Sequence, residues 1–207
     1  MTTVDCSLMS PFNANLPPML CVHDRLSKLE ILITQQNRLT GSIPEGLSNC
    51  TNLQNVDLGS NNFTGGIPGS LFSSSIGGLI TLGVSNNQLT GSIPYGLGSM
   101  AQLLTLDLSN NNLSGSVPSD IVECRALTSV NLSQNSLTGL IPSSLGTSLE
   151  SLITLNLSHN SINGNIPSNL GNLTLLQQLD LSSNRLDGEI PSSLAGMEAL
   201  GFLNLSF

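Results

Sequence analysis

Leucine and its close substitutes recur along this chain in the order apolar, x, x, apolar, x, apolar. The segment Leu103-Leu104-Thr105-Leu106-Asp107-Leu108-Ser109-Asn110-Asn111-Asn112-Leu113-Ser114-Gly115-Ser116-Val117-Pro118 shows the full pattern. Counted from Leu103, apolar side chains fall at positions one, four, six and eleven, with Asn at nine, Gly at thirteen and Pro at sixteen. The alternation around positions four and six predicts a short strand with one buried face. Position nine recurs as Asn37, Asn61, Asn87, Asn111, Asn135, Asn160 and Asn184, at intervals of 24, 26, 24, 24, 25 and 24 residues. A glycine stands four residues after each (Gly41, Gly65, Gly91, Gly115, Gly139, Gly164, Gly188). A proline stands seven after each, always behind Ile or Val, and three residues later comes Leu or Ile.

Each position has a physical task. A strand this short finds its ladder only in the same strand of the next copy. The asparagine sits where the chain leaves the strand, and buried backbone groups there require partners. An amide donates and accepts, so a stack of asparagines satisfies the turns of successive copies. Glycine relieves a second bend, and Ile-Pro fixes an extended approach and ends backbone pairing. One such copy has no means of burying its own leucines, whereas stacked copies share a continuous core. The fold expected is a solenoid of the α/β class, mostly strand and irregular, with coils spaced by about 5 Å.

Residues 1–28 read as a degenerate N-terminal repeat or cap remnant, in which Val4-Asp5-Cys6-Ser7 echoes Leu106-Asp107-Leu108-Ser109. Residues 29–199 hold seven repeats of 24–26 residues, and residues 200–207 begin an eighth. In the first clear repeat Ile31 and Ile33 fall on positions that should face solvent, and a register shift that buries one of them is the expected resolution. Extra residues around Ser73–Gly78 predict a bulged outer loop, and one more falls near Thr147-Ser148. The start lacks a basic and apolar leader, no apolar run reaches the ~18 residues of a membrane span, and the end lacks a polar cap. The chain therefore reads as an internal piece of a longer protein.

The pattern LxxLxLxxNxLTGxIPxxLxxL, seen as LITLGVSNNQLTGSIPYGLGSMAQL from Leu79 to Leu103, resembles the plant-type leucine-rich repeat over about residues 29–207. The resemblance implies a right-handed superhelix with a parallel concave sheet, short 3-10 or loop segments outside, and an extra short sheet beside the concave one. It further implies a non-catalytic recognition module from the ectodomain of a receptor-like kinase or receptor-like protein, with any kinase outside this segment. Its location would be the outer face of the plasma membrane or the extracellular space, and its partners a protein or peptide ligand and a co-receptor. The family also includes secreted polygalacturonase-inhibiting proteins, which gives an alternative reading as an inhibitor of a wall-degrading enzyme. The family's paired-cysteine caps, often with a tryptophan, are not matched.

Composition sharpens this picture. With 207 residues, only 9% charged and a net charge of −8, the polar surface has to come from Ser, Thr, Asn and Gly. Five basic against thirteen acidic residues argue against nucleic acid. No HExxH, CxxC, nucleophile elbow or P-loop is present, so no catalytic residue, cofactor or metal is expected.

The concave face should carry positions three, five, seven and eight: Asn55, Asp57, Thr81, Ser85, Thr105, Asp107, Ser109, Ser129, Asn131, Thr154, Asn156, His159, Gln178 and Asp180. They read equally as a binding surface or as solubilising consensus. Asp57, Asp107 and Asp180 share position five, as an acidic row or as a structural preference. Ordered rows of Thr, Ser and Asn also allow a structural role against a repetitive surface such as polysaccharide or ice. Seven sequons, at Asn49, Asn62, Asn112, Asn131, Asn156, Asn172 and Asn204, are potential glycosylation sites; sugars on Asn131, Asn156 and Asn204 would cover the later concave face. Cys50 and Cys124 occupy equivalent positions three coils apart, about 15 Å, too far for a disulfide, and read as small buried apolar residues. Cys6 and Cys21 are left as a possible pair.

Overall fold

A computed structural model of the chain describes residues 2–5, 15–16, 28–73 and 76–206. Within them, each coil lays one short strand beside the equivalent strand of the next. The strands Thr2–Asp5, Leu29–Ile33, Asn55–Asp57, Thr81–Gly83, Thr105–Asp107, Ser129–Asn131, Thr154–Asn156, Gln178–Asp180 and Phe202–Asn204 form one parallel sheet in chain order. Register between neighbours is position for position: Thr105, Leu106 and Asp107 lie opposite Ser129, Val130 and Asn131. Val4 likewise lies opposite Leu32.

A second set of strands runs along one flank. Thr40–Ser42, Asn62–Gly65, Gln88–Ser92, Asn112–Ser116 and Ser136–Thr138 make a five-stranded parallel sheet, and Asn163–Asn165 pairs separately with Arg185–Asp187. The flank register is staggered. Thr90 lies opposite Asn112 rather than opposite its repeat equivalent Ser114. The same stagger of two residues places Thr40 opposite Asn62.

Two residues of slip add about 6.6 Å along the strand to the ~4.8 Å between strands, so equivalent flank residues are about 8 Å apart. The uniform coil spacing expected from the repeat thus holds on the leucine sheet and fails on the flank. Because the coils are closer on one side than on the other, the stack curves, and the leucine sheet lines its concave side.

On the third side, each Ile-Pro leads into a single tight turn. These are 3-10 segments such as Glu45–Asn49, Ser119–Glu123 and Ser168–Asn172, with the Pro118 carbonyl accepting the Ile121 amide at 3.2 Å. The extra residue near Thr147 has a visible effect: its coil makes an α-turn, Leu145–Ser148, closed by the Leu149 amide on the Leu145 carbonyl at 3.1 Å. Ser74 and Ser75 of the other insertion lie outside the described residues. Leucines of positions one, four, six and eleven, together with the Ile of Ile-Pro and the Leu or Ile beyond it, form one cluster along the stack.

Two expectations are corrected. No slip buries Ile31 or Ile33; the strand pairs Ile31 with Asn55 and Ile33 with Asp57 in standard register. Both isoleucines stand half-buried on the concave face, because Leu32 on the opposite face already fixes the register. Cys50 is not a plain apolar residue but is disulfide-bonded, to a partner outside the described residues. Repeat equivalence says only that Cys50 is too far from Cys124. Cys124 is a free thiol, fully buried. The suggested Cys6–Cys21 pair lies outside the described residues.

Candidate recognition surface

The concave sheet is held from beneath by the asparagine ladder. Asn111 Nδ2 donates to the carbonyls of Leu108 and Ser109 in its own turn, at 3.2 and 3.1 Å, and to Val84 of the preceding coil at 3.1 Å. Its Oδ1 accepts the Leu89 amide at 3.0 Å. Asn135 repeats the arrangement with Leu132, Ser133, Leu108 and the amide of Leu113. Just before each ladder residue the chain passes through the left-handed region. Gln36, Ser60, Asn86, Asn110, Gln134, His159 and Ser183 all have φ between 51° and 59°. No sequence signal marked this bend, since only Asn among these residue types visits that region readily; the ladder holds the others there.

Position five caps the turn that follows the strand. Asp107 Oδ1 accepts the Ser109 amide at 3.0 Å and the Ser109 hydroxyl at 2.6 Å. Asn131 and Ser133, Asn156 and Ser158, and Asp180 and Ser182 make the same pair of bonds; Asp57 caps the amide of Gly59 at 2.9 Å. Aspartate and asparagine are thus interchangeable caps for the turn. Ser109, expected on the open face, is buried in this interaction. Ser85 is half-buried in the same row.

The exposed part of the face lies in three rows. Position three supplies half-buried Asn55, Thr81, Thr105, Ser129 and Thr154, and exposed Gln178. Position eight supplies exposed Asn86, Asn110, Gln134 and His159, with Asn110 Nδ2 donating to Asn86 Oδ1 at 2.5 Å. The third row was missed by sequence reasoning. Position two carries Gln54, Ile80, Leu104, Thr128, Ile153 and Gln177, with Leu104 40% and Ile153 37% exposed.

The strand turns a corner at position two, and its carbonyl accepts two amides of the next coil. The Leu104 carbonyl takes Thr128 at 2.9 Å and Ser129 at 3.0 Å. That corner aims the position-two side chain at solvent beside the hydroxyl row. The available signal was Ile80, Leu104 and Ile153 standing where a solvent-facing side chain is required. No Lys or Arg occupies these rows in the described coils. The concave wall is therefore a neutral-to-acidic surface: an apolar stripe, then hydroxyls, then amides.

Among the described residues no group of three or more His, Cys, Asp or Glu side chains is placed to hold a metal, and no helix is long and apolar enough to cross a membrane. Of the sequon asparagines, Asn49, Asn62, Asn112 and Asn172 are exposed, and Asn131, Asn156 and Asn204 are half-buried.

In-register leucine strands, an asparagine ladder and a proline-led outer turn define a leucine-rich solenoid. Family models described as leucine rich repeat match residues 28–50, 51–113, 77–137 and 125–186. The chain belongs to the leucine-rich repeat family. Receptor-like protein 18 of Arabidopsis thaliana is 40% identical over 91 residues, covering 44% of this chain and 10% of that protein.

Among solved structures, the ectodomain of the Arabidopsis thaliana receptor kinase GASSHO1/SCHENGEN3, in complex with CASPARIAN STRIP INTEGRITY FACTOR 2, superposes with a TM-score of 0.92 at 35% identity. The match covers 99% of this chain and 24% of that one. The Arabidopsis receptor kinase HAESA, in complex with the peptide hormone IDA and the co-receptor SERK1, also gives 0.92 at 34% identity, over 100% of this chain and 33% of that one. The chain spans a third or less of the length of these relatives.

Proposed function

We propose that this chain is a section of the extracellular recognition region of a plant receptor-like protein or receptor kinase, and that its concave sheet binds a peptide or protein ligand. The observation that carries this reading is the concave wall itself. Backbone bonds and the asparagine ladder fix three parallel rows of side chains before any ligand arrives, so binding loses little to ordering. The receptor ectodomains it resembles in complex with peptides support the choice of ligand class. A co-receptor would engage the assembled complex, and any kinase would belong to the whole protein. The disulfide bond of Cys50 fits an oxidising compartment.

The test uses the full-length protein in plant membranes, with photo-crosslinking to peptides of the extracellular fluid. Thr105→Arg and Leu104→Asp on the concave face should abolish capture of a peptide, while Ser92→Arg on the flank leaves it intact. Equal capture by all three variants would overturn the assignment.

A further inference from the structure

The seven sequons do not stand in equivalent surroundings. Asn62 and Asn112 open strands of the flank sheet. Both are exposed, as are the hydroxyl residues two places on, Thr64 and Ser114, while the intervening Phe63 and Leu113 are buried. Alternation along a strand therefore puts each asparagine and its partner hydroxyl on one outward face. The flank stagger separates equivalent residues by about 8 Å per coil, so Asn62 and Asn112, two coils apart, are about 16 Å from one another.

The concave sequons sit differently. Asn131 lies directly opposite Asp107 on one side and Asn156 on the other, and Asn156 in turn lies opposite Asp180. With no stagger these side chains are about 4.8 Å apart. Each carboxamide oxygen is held by the amide and hydroxyl of its own sequon serine, at 3.2 and 2.8 Å for Asn131 and 3.0 and 2.7 Å for Asn156. Those serines, Ser133 and Ser158, are buried. A sugar on either amide nitrogen would have to stand in a gap one strand wide between polar neighbours.

We propose that N-linked glycans occupy Asn62 and Asn112, and that Asn131 and Asn156 remain bare. This rests on the extracellular reading above. The sugars would stand on the flank and leave the concave wall open across the coils of Asn131 and Asn156. Carbohydrate would thus restrict partner access to one side of the solenoid rather than to its earlier coils.

The test is site mapping by mass spectrometry on the full-length protein isolated from plant membranes, with enzymatic deglycosylation in heavy-oxygen water marking each occupied asparagine. Asn62 and Asn112 should carry the label and Asn131 and Asn156 should not. Asn62→Gln and Asn112→Gln should each lower the intact mass by one oligosaccharide. Asn131→Asp and Asn156→Asp destroy the sequon but keep the cap that Asp107 makes, so both variants fold, and neither should change the glycan mass.

An oligosaccharide lost on Asn131→Asp or Asn156→Asp overturns the inference. So does unlabelled Asn62 or Asn112 in a protein that carries sugar elsewhere, and in both cases the extracellular reading stands. Sugar at no sequon at all would overturn both.

Discussion

Asn111 reaches across to the coil before its own and accepts the backbone amide of Leu89 at 3.0 Å, while its Nδ2 donates to three carbonyls. The Leu89 residue is fully buried, so the asparagine replaces water that has no access to that amide. One side chain thereby closes its own turn and welds two coils together.

Truncation of Asn111 to Ala should therefore cost about 1–3 kcal/mol, the range for leaving a buried amide without its partner. For a chain of this size that corresponds to a fall of roughly 2–12 °C in the melting midpoint. Gln88→Ala, on the exposed flank one coil earlier, should stay within about 0.5 kcal/mol. Thermal unfolding followed by circular dichroism compares the two; equal midpoints would show that the ladder is ornamental.

Glycine at the outer turns separates two situations of like appearance. A Cβ built on Gly146 would collide with the Asn169 carbonyl oxygen, whereas one on Gly196 meets nothing within 4 Å. The coil that makes the α-turn Leu145–Ser148 is thus pressed against the turn Ser168–Asn172 of the next. Gly146→Ala should force the coils apart and destabilise by about 1–3 kcal/mol, as overpacking does. Gly196→Ala should be neutral or stabilise by up to about 1 kcal/mol, through loss of chain freedom in the unfolded state. Chemical denaturation midpoints check both.

The repeat made the leucine sheet, the ladder and the proline-led turns legible, because each depends on one residue type at one position. What stayed hidden depends on relations between coils. The flank stagger, Thr90 opposite Asn112, follows from how two closed loops stack and leaves no mark on either loop alone. The left-handed bend at Gln36 or His159 is imposed by the ladder, so the residue there need not announce it. Ser109 looked like surface because serine usually is, and is buried because Asp107 receives its hydroxyl. Leu104 stands at a position to which the repeat assigns no role, and it is on the wall.

Cys124 gives a pH-dependent signature. Its thiol donates to the Leu97 carbonyl at 2.8 Å. Burial first, and then the nearby Asp120 and Glu123 charges, push it from 9.0 up to about 12. The folded chain thus holds this proton more tightly than the unfolded one does. The resulting contribution to stability is full below pH 9.0 and is lost as pH rises from there toward about 12. The urea midpoint should fall across that interval and fall less in Cys124→Ala. In the native protein at pH 8 a thiol reagent should leave Cys124 unmodified and label it only after unfolding, since the thiolate is the reactive form.

The concave wall should divide into residues that hold the fold and residues that meet the ligand. Asp107→Asn keeps a side-chain oxygen for Ser109, as Asn131 does for Ser133 one coil later. It should change neither the melting midpoint nor ligand capture, although it removes one of the face's few charges. Asp107→Ala strips the cap and should cost about 1 kcal/mol, the worth of a typical hydrogen bond, again with little effect on capture. Leu104→Asp is the reverse case. Its side chain is 40% exposed, so a carboxylate there remains hydrated and the fold is kept, while the apolar stripe from Ile80 to Ile153 is broken at its middle. Loss of capture with an unchanged midpoint places Leu104 in the recognition surface. Loss of capture in Asp107→Asn instead would mean that the acidic row, and not the apolar stripe, reads the ligand.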